Sequence, residues 1–564
     1  MSITRYELTV HLETASPLHS GGIDEVVDRA CPSKKRETVP RRFARDGAGH
    51  PVLTGRSVKG AVQAACKKYF DETNNSDLNR PDEPGKPALA HLWGGLLGKS
   101  AWASALTFHA VDLHSANTFP KREGNSGVDG VGELPTRMGI AIDRYWGAAG
   151  DTALFEHEYV PAGRPLTLTI TAQAGSMPKN RPSDPAAPFG GVSGCRPVTE
   201  ADVERLFAII LGVLKSERVS FGGRRNAGWG RVRPIKQSDS ERFWVLTGAP
   251  LGTRDGLLSW LGNDCGEDMS ERIEPIECGE PDRVRINIGW NSPTGILVAD
   301  PRLSRVESSD ERNDPRDEDD PDELVPTRHL RSGPGENAPI VLPGSSVRGA
   351  LRSRASRIAR TILAARHASV NDWSNTNVHN QLAHDPDLVQ RLFGSTERRG
   401  ALTVLDTLAS SNGSTRLITH NAGDRWTGGV AEGTLYGEEV HDAEWKNIVL
   451  ELDLKALSND DNRRRAAWCL LGLVLAELAA GTLPLGSRGT RGLGQVEVTS
   501  IPITGGRSIG IGDQLFSAPS KGTGESVAEQ VLGHLRTVNE EITAGPGANG
   551  WSSYLMGDEE KNHD

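Results

Sequence analysis

The chain has 564 residues, too many for one hydrophobic core, so two or more domains are expected. Hydrophobic residues make up 36% and charged residues 24%, which fits a globular protein in water, and no apolar run is long enough to span a membrane. The net charge of −10 excludes a histone-like binder, but acidic runs such as "SSDERNDPRDEDDPDE" (308–323) carry much of it, and basic clusters such as "RGALRSRASRIAR" leave room for a local nucleic-acid groove.

The six cysteines are scattered and form no CxxC pair, so neither a disulfide framework nor a zinc site is expected. With no signal-peptide pattern in "MSITRYELTVHLE", a cytoplasmic protein without a membrane partner is the simple reading.

In chain order, "RYELTVHLE" (5–13) alternates and reads as a first strand. A helix follows "GRS", with Ser57 at or near its cap. "ALTFHAVDL" and "PLTLTITA" read as second and third strands. "EADVERLFAIILGVLKSE" (200–217) puts Val203, Leu206, Phe207, Ile210, Val213 and Leu214 on one helical face. The loop "FGGRRNAGWG" (221–230) and a final strand follow. The same order then recurs: "VRINIGW", a helix after "GSS" with Ser346 near its cap, "ALTVLDTL", "NIVLELDL", "RRAAWCLLGLVLAELAAG", and "LGSRGTRGLG" (485–494).

The motifs match pairwise in that order. "VLTGRSVKGAVQ" pairs with "VLPGSSVRGALR", "VPRRFARDG" with "VPTRHLRSG", "LWGG" with "LFGS", "DRYWG…LFEHE" with "DRWTG…LYGEE", and "FGGRRNAGWGRV" with "LGSRGTRGLGQV". Shared order makes chance a poor explanation, so the chain is read as two copies of one domain. Each copy is β-α-β-β-α-β, an α+β, ferredoxin-like (RRM-like) fold with long loop insertions. The expected boundaries are 1–238 for the first domain, 239–283 for a linker region with its own short helix, 284–505 for the second domain and 506–564 for a tail.

Both "TGRSVKGA" and "PGSSVRGA" place a cation, Lys59 or Arg348, in the first turns of a helix, followed by Gly60 or Gly349. A cation there opposes the helix dipole, whereas the free N–H groups attract an anion. A capped helix with a solvated basic residue would explain one copy; two copies favour an anion site using Ser57, Lys59, Gly60, Ser346, Arg348 and Gly349.

The glycine loops share Gly-x-Arg-x-x-x-Gly-x-Gly: Gly222, Arg224 and Gly228, and Gly486, Arg488 and Gly492. They follow a helix and precede a strand, the reverse of a dinucleotide fingerprint, and a P-loop Gly-Lys-Ser/Thr is absent. Two readings remain open: a tight turn packed under the helix, or a backbone nest gripping phosphates together with the arginine. "IDRYWG" and "GDRWTG" likewise hold either structural ion pairs or arginines that stack on bases beside Trp146 and Trp426. The histidines show no metal-ligand spacing, and no Ser-His-Asp order or GxSxG elbow appears.

"PLHSGG" (17–22), "PVLTGRSVKGAV", "HLWGG", "MGIAIDRYWGAA…LFEHEYVPAG" and the glycine loop resemble the RAMP superfamily of CRISPR-associated proteins, and within it the backbone subunits of type III effector complexes. The second half carries weaker forms of all but the first motif. The resemblance implies two fused domains bound along a CRISPR RNA, a complementary target RNA and other subunits of the complex. It also implies target cleavage by a loop aspartate with Mg²⁺ or another divalent metal. The positions where relatives carry that aspartate are Thr38 and Leu324 here. Nearby carboxylates are Asp24, Asp28 and Glu37 in the first copy and Asp320, Asp322 and Glu323 in the second; of these, Asp28 in "EVVDRACP" and Asp322 in the acidic run are taken as the catalytic and metal-binding residues. Two alternatives stand beside this: the same scaffold without catalysis, and an endoribonuclease that processes CRISPR transcripts, for which His19 is the candidate base.

Overall fold

Tyr6, Leu8, Val10 and Leu12 alternate with more exposed residues and are fully buried, which makes Thr4–Thr14 (β1) the central strand of the first sheet. The computed structural model describes residues 3–21, 41–73, 92–97, 100–113, 134–145, 149–175, 198–235, 242–262, 266–300, 326–333, 338–366, 376, 378–410, 414–431, 435–442, 444–519, 524–542 and 550–556. These form two compact units: the first is Met1–Arg137, His157–Arg225 and Trp229–Pro281; the second is Met138–Glu156, Asn226–Gly228 and Asp282–Asp564.

The first unit contains the helix Gly55–Thr73 (α1), the strand Leu106–Phe108 (β2), the strand Pro165–Ala174 (β3) and the helix Glu200–Lys215 (α2). β3 pairs antiparallel with β1 along its length, and β2 pairs with β3. On the other edge of β1 lie Val232–Pro234 (β4) and Trp244–Pro250 (β5). Their registers run on from one another, from Thr14↔Val232 to Thr4↔Pro250, so they are one strand interrupted by residues 235–243. α2 starts where it does because Thr199 and Asp202 form a reciprocal capping box. Its buried face, including Val203, Leu206, Phe207 and Ile210, joins the core formed by β1 and β3.

The stretch expected to be a linker is therefore largely domain. β5 pairs with β1 over seven residues, and Glu267–Asp268 (β6) adds a further edge strand beyond it. The short helix expected there is Arg254–Leu261 (α3). The backbone hydrogen bonds of β1 on that edge need a partner, and the supposed linker supplies it.

The second unit repeats the plan. Its central strand is Arg283–Asn291 (β7), followed by the helix Gly344–Ala365 (α4), the short helices Val378–Ala383 (α5) and Asp387–Phe393 (α6), and the strand Leu402–Val404 (β8). The hairpin Thr415–His420 (β9) and Tyr436–His441 (β10) precedes Ile448–Asp453 (β11), Asp461–Ala479 (α7), Glu497–Gly505 (β12) and Gln514–Ser517 (β13). The sheet order is β8-β11-β7-β12-β13, all antiparallel; in the first unit it is β2-β3-β1-β5-β6. Taking the four strands common to both, each sheet runs second, third, first, fourth.

The expected tail is likewise partly structural. Val527–Glu540 (α8) starts at a Ser526–Glu529 capping box, buries Val527, Val531, Leu535 and Val538, and lays Leu535 over Gly472 of α7. A Cβ at Gly472 would lie 2.4 Å from Leu535, so this glycine lets the two helices approach closely.

Candidate nucleic-acid interface

Each unit brings its helix start and its glycine loop into definite local settings. In the first unit Thr54, not Ser57, caps α1: its hydroxyl accepts from the Ser57 N–H at 3.3 Å, and Ser57 is the third helical residue. Gly55 touches the Phe108 carbonyl, where a Cβ would sit 2.0 Å from the oxygen. No acidic residue occupies the first turn. Lys59 is half-buried, has no hydrogen-bond or ion-pair partner among the described residues, and burial holds its ammonium below the usual lysine range.

Gly60 is exposed, and no described atom lies within 4 Å of where its Cβ would stand. Nothing among the described residues of the unit requires a glycine here, although one inside a helix costs about 0.5–1 kcal/mol relative to alanine. Gly349 in α4 repeats this: it is exposed, with the same open space around it.

The other α4 counterparts differ. Ser346 is exposed and also the third helical residue, after Pro343 at the cap. The Gly344 N–H at the helix start donates to the Asp406 carboxylate at 2.8 Å. Arg348 folds back on its own unit, donating to the carbonyls of Phe393 and of Leu402, with its guanidinium 5.8 Å from the Phe393 ring centre. Burial, then the neighbouring Arg352 and Arg399, push it down to about 10.

The glycine loop of the first unit wraps the strand-like segment 17–21. The Gly223 N–H donates to the His19 carbonyl and the Gly230 N–H to that of Pro17. Gly222, at φ 71, passes so close to the His19 carbonyl that a Cβ would lie 2.0 Å from its oxygen. The second unit matches bond for bond: Ser487 N–H to Leu297, Gly494 N–H to Gly295, and Gly486 against the Leu297 carbonyl. Gly228, at φ 76, packs on Leu405 within the second unit, while Gly492, at φ 88, has open space around it. Close backbone packing thus accounts for Gly222, Gly228 and Gly486.

It does not account for the arginines. Arg224 (φ 56) and Arg488 (φ 64) both hold the left-handed conformation, which costs a non-glycine residue roughly 1–2 kcal/mol. Arg224 donates to His157 Nδ1 at 3.0 Å, and its guanidinium lies 5.3 Å from the Trp229 ring centre. His157 also meets His19 edge to face, with ring centres 4.9 Å apart. His19 Nδ1 donates to the Glu158 carbonyl at 2.7 Å. Burial, then Arg224, His19 and Arg41, push His157 down to about 3, so it is a neutral imidazole. Arg488 instead donates to the Glu438 carboxylate at 2.5 Å; Glu438 is 0% exposed and also has His420 at 3.3 Å and Arg491 at 3.8 Å.

In the Asp-Arg motifs, Arg144 and Asp424 make structural contacts. Within the second unit Arg144 pairs with buried Asp385 at 2.6 Å, which also holds Arg352 at 2.7 Å. Asp424 closes its own turn by accepting from the N–H groups of Trp426 and Thr427, leaving Trp426 95% exposed. Trp146 lies outside the described residues, and so do Asp28 and Asp322, the two expected catalytic and metal-binding positions. Among the described residues no group of three or more His, Cys, Asp or Glu could hold a metal ion, and no helix is long and apolar enough to cross a membrane.

Sequence reasoning found no metal-ligand spacing among the histidines, and it missed His157 and Glu438 as the arginines' partners. The signal was present: both stand at the same place in the paired "LFEHE" and "LYGEE" motifs. No curated protein matches the chain. The family model of the RAMP superfamily matches residues 11–233 and 335–497.

Proposed function

The chain belongs to the RAMP superfamily, and from that premise we propose that it is the CRISPR RNA-binding backbone subunit of a type III effector complex, built of two fused ferredoxin-like domains. The family supports a CRISPR-associated, RNA-binding role, and the repeated strand order supports the ferredoxin-like reading of each unit. The observation that carries the proposal is the exposed glycine in α1 and again in α4, Gly60 and Gly349, packed on by no described residue and placed near a helix N-terminus. A glycine at such a place allows a sugar-phosphate backbone to come against the helix. The left-handed Arg224 and Arg488 are a second strained feature shared by both units.

In this reading the subunit positions a complementary target RNA and cleaves it. Asp28 and Asp322 are the residues that would hold Mg²⁺ or another divalent metal, which would supply charge stabilisation at the phosphate. The part of the chain itself is that of a carboxylate accepting a hydrogen bond from the ribose 2′-hydroxyl, orienting it toward the adjacent phosphorus. To test this, the complex assembled on a guide is given complementary RNA and Mg²⁺, and the cuts are mapped. Asp28→Ala and Asp322→Ala are each expected to abolish one cut; an unchanged cut pattern in both would contradict cleavage by these residues.

A transcript-processing endoribonuclease has one observation in its favour. Because His19 Nδ1 donates to the Glu158 carbonyl, Nε2 is left as the basic nitrogen of a neutral ring. That reading predicts cleavage of precursor transcript by the isolated protein in a metal chelator, lost in His19→Ala.

A further inference from the structure

The paired sites of the two units differ in one consistent direction. At the helix start, the position of Ala110 in "ALTFHA" is taken in "ALTVLD" by Asp406, whose carboxylate accepts from the first N–H of α4. Lys59 has no partner among the described residues, whereas Arg348 is tied to the Phe393 and Leu402 carbonyls.

At the loop, His157 and Glu438 hold the same register. Arg41 bridges His157 and Thr327 bridges Glu438, both in parallel, and each faces the left-handed arginine of its own unit. One partner is a neutral imidazole, and the other is a fully buried carboxylate gathering Arg488, Arg491 and His420.

We propose that Glu438 is an internal anion that takes, in the second unit, the place a backbone phosphate would take against the loop arginine. The second unit brings its own negative charge to both sites, and the first brings none at Ala110 or His157. RNA phosphates are therefore held unequally, with Glu438 restraining the grip of Arg488. A carboxylate and a phosphate oxygen compete for the same guanidinium fork, and a buried ion pair yields only when the incoming anion replaces every bond it loses. This inference rests on the reading of loops and helix starts as RNA-backbone contacts.

The test measures the affinity of the full chain for polyuridylate at several salt concentrations. The variants are Glu438→Gln, Glu438→His (the first unit's residue), Glu438→Gln/Arg488→Ala and Lys59→Ala, each checked for folding by circular dichroism. Releasing Arg488 is expected to raise affinity several-fold and steepen the log–log salt slope by about 0.7, the value of one more single-strand phosphate contact. Adding Arg488→Ala is expected to abolish that gain. The proposal is overturned if folded Glu438→Gln and Glu438→His both keep the wild-type slope while Lys59→Ala flattens it. Loss of folding in both Glu438 variants would make the residue a core ion pair alone and overturn it equally. If Lys59→Ala also leaves the slope unchanged, it is the underlying RNA-backbone reading that fails.

Discussion

His329 shows how one position can serve two chemistries. It stands where the first unit has Phe43, it is 3% exposed, and neither ring nitrogen has a hydrogen-bond partner among the described residues. Burial, then His441 and Arg331, push it down to about 3. The folded ring stays neutral while the unfolded one takes up a proton below its ordinary value of 6.5. The second unit should therefore be stable above that pH and lose stability as pH falls from 6.5 toward 3, by up to about 1.4 kcal/mol per pH unit for each such histidine. Phe43 is fully buried at the matching place, so His329→Phe should fold. Urea unfolding at a series of pH values should show a shallower loss on acidification in that variant. An unchanged pH slope would mean that His329 is not held neutral. The sequence made Arg224 and Arg488 visible through the paired loops, but their partners lie 67 and 50 residues away along the chain. Periodicity and spacing carry no information on contacts at that distance, whereas the repeat alignment does.

At the scale of elements, most of what the alternating and helical patterns predicted is present, the central strands and the paired helices among them, and the structure adds the sheet order second, third, first, fourth. Two elements were hidden for identifiable reasons. Trp244–Pro250 completes the fourth strand of the first sheet, but an insertion separates it from Val232–Pro234, so it read as linker. Helix Val527–Glu540 carries a visible Ser526–Glu529 capping signature and apolar residues at helical spacing, masked by the acidic end that follows. The most telling element is α1, whose Gly60 buries nothing and touches nothing described. Gly60→Ala should raise the stability of the first unit by about 0.5–1 kcal/mol, read as a higher urea midpoint. A fall in the midpoint would show that the glycine is needed by the fold itself, and would remove the reason for assigning it to a ligand.

For the whole molecule, the two units share their strand order and differ at their charged sites more than in their framework. The backbone hydrogen bonds of the two glycine loops coincide, down to Gly223 with Ser487 and Gly230 with Gly494, while Ala110, Lys59 and His157 correspond in sequence to Asp406, Arg348 and Glu438. The framework was legible because a repeat writes the same constraints twice. The acidic carboxylates expected to cleave, Asp28 and Asp322, were placed by resemblance alone and lie outside the described residues. The central claim is that the glycine-marked helix start holds the RNA backbone. It is tested most directly by titrating single-stranded RNA into wild type and Gly60→Leu at fixed salt. Gly60 is exposed and a Cβ there meets no described atom within 4 Å, so the fold should be kept, while RNA affinity should fall roughly tenfold, about 1.4 kcal/mol. A folded Gly60→Leu protein that binds RNA as tightly as wild type would contradict the account.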